Sequence, residues 1–232
     1  MENVTSAEAR TPARALLVGA PRPLLSHRAE AALGARHRSV LDGLEQLLRD
    51  GELGALTIGE LAARLACSRR TLYELAPSKD QLFLIILDRL MHRIGRTALA
   101  AIDVGAPAAV QLRQYATGSI KLASFRSEAY EDMADLPDAR RLIDRHHKFA
   151  ATILERIVAA GIDSGEFRAI DASVAAQVIL ASAVHLAHPD VIQDVGHSLD
   201  EAVTEMLGLV LTGLLDRRSA DPTASRGTAV RR

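Results

Sequence analysis

The stretch from Thr57 to Ser78 holds three helix-start signals, at Thr57, Ser68 and Ser78. Glu60 stands three residues after Thr57, and Gln81 three after Ser78. That is the capping-box spacing, in which a hydroxyl and an acid or amide side chain satisfy each other's orphan N–H groups. Pro77 stops the helix before Ser78. Only two short helices fit between these starts: about nine residues from Thr57, with Ile58, Leu61, Ala62 and Leu65 inward, and a shorter one from Ser68 through Leu75. Helices this short are marginal alone, so they must lean on a neighbour. The segment 35–50 supplies it. Its Val40, Leu41, Leu44, Leu47 and Leu48 fall on one helical face, and Gly51 and Gly54 end it. Three helices of this kind form a helix-turn-helix unit, whose second short helix enters the DNA major groove.

The rest of the chain predicts more helix. Sustained Val/Ile/Thr/Tyr alternation between turn residues is nearly absent. A long helix is expected from Lys79 to about Ala101, whose "LFLIILDRLMHRI" run is apolar on more than one face. Others are expected near Ala108–Ser124, Ser127–Ala134, Pro137–Ala160 (stopping at Gly161), Ser173–Ala187 after an Asp171 cap, and 199–216 after a Ser198/Glu201 capping box. The expected fold class is all-α. A flexible arm (1–34), with a short helix after Ser26, precedes a helix-turn-helix DNA-binding domain (35–85), a larger C-terminal helical domain for ligand binding and dimerisation (86–216), and a disordered tail (217–232).

The 232 residues allow one large or two modest cores. Net charge is −1, but residues 1–96 sum to +3 and the remainder to −4, which places an anionic partner at the N-terminal end. The single cysteine, Cys67, excludes an intrachain disulfide and reads as a small apolar filler. The apolar run Ala15–Ala20 is followed by Pro21, Arg22 and Pro23 and preceded by Glu2 and Glu8, a poor signal peptide. No apolar stretch has bilayer length. A soluble cytoplasmic protein with no membrane partner is expected.

In the second short helix, Leu72 and Leu75 can face inward, leaving Arg69, Arg70, Thr71 and Glu74 outward. Arginine reads guanine edges or grips phosphate, and threonine offers a hydroxyl or methyl. Tyr73 and Lys79 are natural phosphate ligands, and the helix starts at Ser68 and Ser78 present free N–H groups. Glu74 is expected to orient an arginine or lie in solvent.

The run "TIGELAARLACSRRTLYELAPSKDQL" resembles the DNA-binding motif of the tetracycline-repressor (TetR) family of bacterial transcription regulators. Thr57, Leu61, Ala62, Ser68, Thr71, Leu72, Tyr73, Ser78, Lys79 and Leu82 match. The motif covers about residues 36–86; beyond it only the family's general plan of a divergent helical C-terminal domain is matched. Ala66 replaces the usual turn glycine and Ala76 the usual phenylalanine, whose space Leu75 or Phe83 could fill. The resemblance implies backbone contacts from Thr57, Tyr73 and Lys79, and base or backbone contacts from Ser68, Arg69, Arg70 and Thr71. Arg38 is a further phosphate candidate.

The apolar stripe of the last helix (Val203, Met206, Leu207, Val210, Leu211, Leu214) and the small-residue helix before it (Val178, Ala181) predict a two-fold four-helix dimer interface. The family resemblance implies the same homodimer, and two recognition helices fit a palindromic operator. A small apolar or amphipathic effector is expected among Leu112, Tyr115, Ile120, Phe125, Phe149, Ile153 and His185, releasing a repressor from DNA. Ordinary core packing would use the same residues. No catalytic residues, cofactor or metal site are expected. Neither His185/His188 nor His146/His147 comes with the duplicated carboxylate–histidine pairs of a di-metal bundle. The alternatives are a dimeric regulator without a small-molecule ligand, and a metal-dependent helical-bundle enzyme.

Overall fold

The computed structural model describes residues 19–120 and 127–215. These form helices α1 His27–Ala32, α2 Ala35–Arg49, α3 Ile58–Arg64, α4 Arg69–Leu75, α5 Lys79–Ala100, α6 Ala108–Ile120, α7 Ser127–Asp135, α8 Pro137–Asp163, α9 Ala172–Leu186, α10 Pro189–Val195 and α11 Leu199–Leu214. One isolated antiparallel bridge joins Phe167 to Leu215. No single helix among the described residues is long and apolar enough to cross a membrane. Residues 1–18 of the expected arm and the tail 217–232 lie outside the described residues.

The caps act as the sequence predicts. Thr57 Oγ1 accepts the Glu60 N–H at 3.3 Å, and the Glu60 carboxylate accepts the Thr57 N–H at 2.8 Å. Ser198 and Glu201 repeat the arrangement at α11. Ser68 caps α4 and Asp171 caps α9, while at α5 Ser78 accepts the Gln81 N–H, one half of the expected capping box. Two elements differ from expectation. The helix expected to stop at Gly161 continues to Asp163. Gly161 is instead a packing glycine, where a methyl group would run into the Phe167 ring. The turn is made at Gly165, which takes φ +76. The segment between the expected helices 173–187 and 199–216 holds a further helix, α10, with Pro189 in its first turn and Gly196 closing it at φ 72.

Two apolar cores result. The first unites Leu41, Leu44 and Leu48 of α2, Leu61 of α3, Leu72 of α4 and Leu82, Ile86, Leu87 and Leu90 of α5 with Ala139 and Leu142 of α8. The second gathers Leu112, Ile153, Ile157, Val158, Phe167, Ile179, Val203, Leu207 and Leu211 around Ala98. Helix α5 is continuous through both, so the expected boundary near residue 85 falls inside it.

Polar contacts lock the N-terminal helices to α5. Glu45 of α2 is buried and meets Arg49 at 3.0 Å, Arg89 at 2.7 Å and Arg93. Arg89 also reaches Glu30 at 2.7 Å and Asp42 at 2.8 Å. The Gly54 N–H donates to Asp132 of α7 at 3.0 Å, while its carbonyl accepts Lys79 Nζ.

Helices α5 and α6 meet closely at Gly118, where an added Cβ would sit 2.7 Å from Ala98 Cα and 3.1 Å from the Thr97 carbonyl. Helix propensity alone would favour Gly118→Ala by about 1 kcal/mol. Both obstacles are backbone, so neither can rotate away, and overpacking costs about 1–3 kcal/mol. Gly118→Ala is therefore expected to lower the denaturant midpoint; a raised midpoint would show that the helices separate at little cost.

Candidate nucleic-acid interface

Helix α3 ends in a Schellman motif. The Cys67 N–H reaches the Ala62 carbonyl at 2.8 Å and the Ala66 N–H reaches Ala63 at 3.1 Å. Ala66 takes the left-handed position at φ 47. The tight turn expected from a glycine is thus made by alanine, at a cost of roughly 1–2 kcal/mol. The Arg36 guanidinium, donating to the Ala66 carbonyl, helps hold it.

Beyond that turn, Ser68 Oγ accepts the Thr71 N–H at 3.1 Å and pairs with Thr71 Oγ1 at 2.9 Å. Leu72 and Ala76 are buried, and Leu75 packs against the same core. Ala76 shares that core with Phe83, so α4 is seated without the usual ring at position 76. One face of α4 is left outward. Arg69, Arg70, Tyr73 and Glu74 are exposed there, Tyr73 by 53%.

The exposed groups are ordered by neighbours. Arg70 Nε meets Glu74 at 3.0 Å, and the other Glu74 oxygen meets His37 Nε2 of α2 at 3.1 Å. The hydrogen bond from Arg70, then that from His37, holds the Glu74 carboxyl below its ordinary value. Arg69 lies over Gly59 of α3, where a Cβ would stand 2.7 Å from its Nη2. Arg38 is exposed and donates to the Leu33 carbonyl. Thr57, Ser68 and Ser78 are exposed caps, and Lys79 is half-buried against Gly54. The turn thus brings Ser68, Arg69, Arg70, Thr71 and Tyr73 onto one short helix, with Thr57 opening the helix before it and Ser78 and Lys79 the helix after it. His37, Gly59 and Arg36 were missed by sequence reasoning. Their roles depend on contacts across 10 to 37 residues, and only the missing side chain of Gly59 left a local trace.

Residues 128–207 match the family described as "Tetracyclin repressor-like, C-terminal domain". No curated protein sequence matches the chain. Solved structures share its fold. A putative transcriptional regulator from Saccharomonospora viridis, in complex with choline, is 18% identical with TM-score 0.65, covering 78% of this chain and 98% of its own. FadR from Bacillus subtilis, in complex with stearoyl-CoA, is 17% identical with TM-score 0.65, covering 76% and 98%. SmeT, the repressor of the Stenotrophomonas maltophilia multidrug efflux pump SmeDEF, is 18% identical with TM-score 0.60, covering 81% and 94%.

Residues 128–207 are thus tetracyclin repressor-like, and the chain shares the fold of TetR-family regulators. Helices α3 and α4 form a helix-turn-helix, and α6 to α11 make up the helical C-terminal part.

The expected effector residues are not all brought together. Leu112, Tyr115 and Ile153 are buried in the second core, with Ile120 and Phe149 at its edge. Burial pushes the Tyr115 hydroxyl well up from its ordinary value, so it stays neutral. His185 is exposed and not part of that core, and Phe125 lies outside the described residues.

The expected dimer stripe needs correction. Val203, Met206, Leu207, Leu211 and Leu214 of α11 are buried inside the chain, against α6 and α9, and Val210 packs at the edge of that core. Amphipathic spacing shows that a face is covered, not by which chain. The exposed apolar residues of these two helices are Val174, Val178 and Val184 on α9 and Leu209 on α11, with Ala181 exposed beside them. Of the expected interface residues, Val178 and Ala181 alone are exposed.

Proposed function

We propose that this DNA-binding transcriptional regulator is a homodimeric repressor that binds a palindromic operator through α4. The observation that carries the reading is the outward face of α4, where Arg69, Arg70 and Tyr73 are exposed on a helix anchored by Leu72 and Ala76. Ser68, Arg69, Arg70 and Thr71 meet base edges or phosphate, while Thr57, Tyr73, Ser78, Lys79 and Arg38 meet the phosphate backbone. Lys79 exchanges its Gly54 contact for phosphate, or supplies charge from beside it. Selection of bound genomic fragments by the purified protein tests this. A salt-sensitive preference for a two-fold symmetric sequence is expected, and binding without sequence preference would defeat the reading.

Two copies join through the outward faces of α9 and α11. Val174, Val178 and Ala181 follow helical spacing on α9, and Leu209 of α11 is 78% exposed. Exposed apolar groups clustered in this way mark a protein interface. Val178→Glu combined with Leu209→Glu places like charges across the two-fold axis. It is expected to shift the protein from dimer to monomer in sedimentation at micromolar concentration while helicity is retained. An unchanged sedimentation coefficient would place the interface elsewhere.

The effector is apolar or amphipathic and acts by population shift on the packing around Leu112, Tyr115 and Ile153, which moves α5 and with it α4. The neighbours' choline and stearoyl-CoA show two different chemistries held on this fold, so the ligand class here is set by the local side chains. Burial of Leu112, Tyr115 and Ile153 in a packed core favours a second reading, a regulator without a small-molecule ligand. Release from the selected DNA by amphipathic compounds, or its absence across such a panel, separates the two.

A further inference from the structure

The junction between the two cores carries a group of side chains that DNA recognition does not use. Asp88 and His92 lie one turn apart on α5, and His146 faces them from α8. Asp88 Oδ1 is 3.2 Å from His146 Nε2 and 3.7 Å from His92 Nε2. The three donor atoms all lie within 4.8 Å of one another. The imidazoles meet edge to face, with centroids 4.8 Å apart and planes at 84°. The second carboxylate oxygen, Asp88 Oδ2, accepts the Leu24 N–H at 2.7 Å, which fixes the carboxylate and ties in the segment before α1.

The charge pattern is unusual for a buried acid. Asp88 is 1% exposed. Its ion-pair partners among the described residues are the two histidines. Its two oxygens accept from His146 Nε2 and from the Leu24 N–H. The anion is therefore balanced by imidazoles rather than by a fixed cation. A buried charge needs such compensation, and a divalent ion supplies it.

We propose that Asp88, His92 and His146 form a binding site for a divalent transition metal, of the Zn²⁺, Co²⁺ or Ni²⁺ class. Two neutral imidazole nitrogens and one carboxylate oxygen are the donors those ions take, whereas Mg²⁺ and Ca²⁺ prefer oxygen sets. Tetrahedral coordination at about 2.0–2.1 Å puts donor atoms about 3.3 Å apart. The 3.2 Å and 3.7 Å separations already approach that, and rotation of His92, the least buried of the three, closes the remaining edge. A pocket of about 10 Å³, lined in part by Asp88, His92, Arg89 and Arg96, adjoins the cluster. It has room for one water as fourth ligand. The bound ion would link α5, α8 and the segment at Leu24, so it would fix the helix that runs through both cores.

The test uses full-length protein without a polyhistidine tag, stripped with chelator. Zn²⁺ is titrated by calorimetry, and Co²⁺ is followed by its visible absorption. One ion per chain is expected, with the absorption of four-coordinate Co²⁺ and a higher melting temperature on Zn²⁺ addition. His92→Ala and His146→Gln are each expected to weaken binding by roughly 100-fold or more, at or beyond the upper end of the loss seen when a supporting neighbour of a ligand is removed. Asp88→Asn should do the same while keeping the side chain's shape. Far-ultraviolet dichroism of each metal-free variant reports whether it folds; His92→Ala, at the most accessible position, keeps the test usable if His146→Gln does not. The double variant His185→Ala, His188→Ala, which leaves the cluster intact, should bind as wild type. Failure to bind Zn²⁺ or Co²⁺ stoichiometrically, binding that survives His92→Ala, or binding lost only in the His185/His188 variant would each overturn the site. The titration contains no DNA, so its result is independent of the regulatory reading.

Discussion

Glu45→Ala is expected to destabilise the protein by about 3–5 kcal/mol, the usual cost of removing one partner from a buried ion pair. The Glu45 side chain is only 2% exposed, and it is the shared acceptor for Arg49, Arg89 and Arg93. Removing it leaves three guanidinium groups crowded between α2 and α5 with their common counter-charge gone. Arg89 keeps Glu30 and Asp42, which limits the loss. Against a typical total stability of about 5–15 kcal/mol, this is a large fraction. Equilibrium denaturation in urea measures it. Because the site is buried, the loss should change little between low and high salt. A loss below about 1 kcal/mol, the value of an exposed pair, would mean that solvent reaches the cluster.

The second large effect concerns DNA. Arg70→Ala is expected to weaken operator binding by about 1–3 kcal/mol per half-site if the residue reads a base, so roughly 2–6 kcal/mol for a symmetric pair. The Arg70 side chain is 87% exposed, so stability should stay within about 0.5 kcal/mol of wild type. Fluorescence anisotropy with the selected operator and with mismatched operators distinguishes the two contact types. Relaxed discrimination at one base pair identifies base reading, whereas a uniform loss with a shallower salt dependence identifies phosphate. Glu74→Gln is the informative companion. It removes the charge that holds Arg70 and meets His37, and it should lower discrimination more than overall affinity. An Arg70→Ala protein that binds operator as wild type would remove α4 as the reading helix.

The helix-turn-helix was legible because its determinants are local. Capping pairs such as Thr57/Glu60 act across three residues, and the apolar period of α2 repeats within two turns. The features that were not legible act between distant segments. Asp88 and His146 are 58 residues apart, and Gly54 and Asp132 are 78 apart; nothing near either member announces the other. The α11 stripe shows a subtler limit. Its period correctly predicted a buried face, yet the partners of Val203 and Leu207 are α6 and α9 of the same chain. Leu209, which lies off that stripe, is the large apolar residue of α11 left outward. Gly161 misled for a related reason: a glycine can end a helix or admit a ring, and only the position of Phe167 decides which.

The peptide group of Gly54 has a spectroscopic use. Its N–H is held by Asp132 of α7 and its carbonyl by Lys79 at the start of α5. A single amide resonance therefore senses whether α7 is docked on the loop between α2 and α3. Glycine amides lie in a sparsely populated region of a proton–nitrogen spectrum, so this native probe needs no label at a mutated position. Its chemical shift and hydrogen-exchange rate would follow, in real time and without disturbing the outward face of α4, any movement that the helices beyond α5 transmit to the loop.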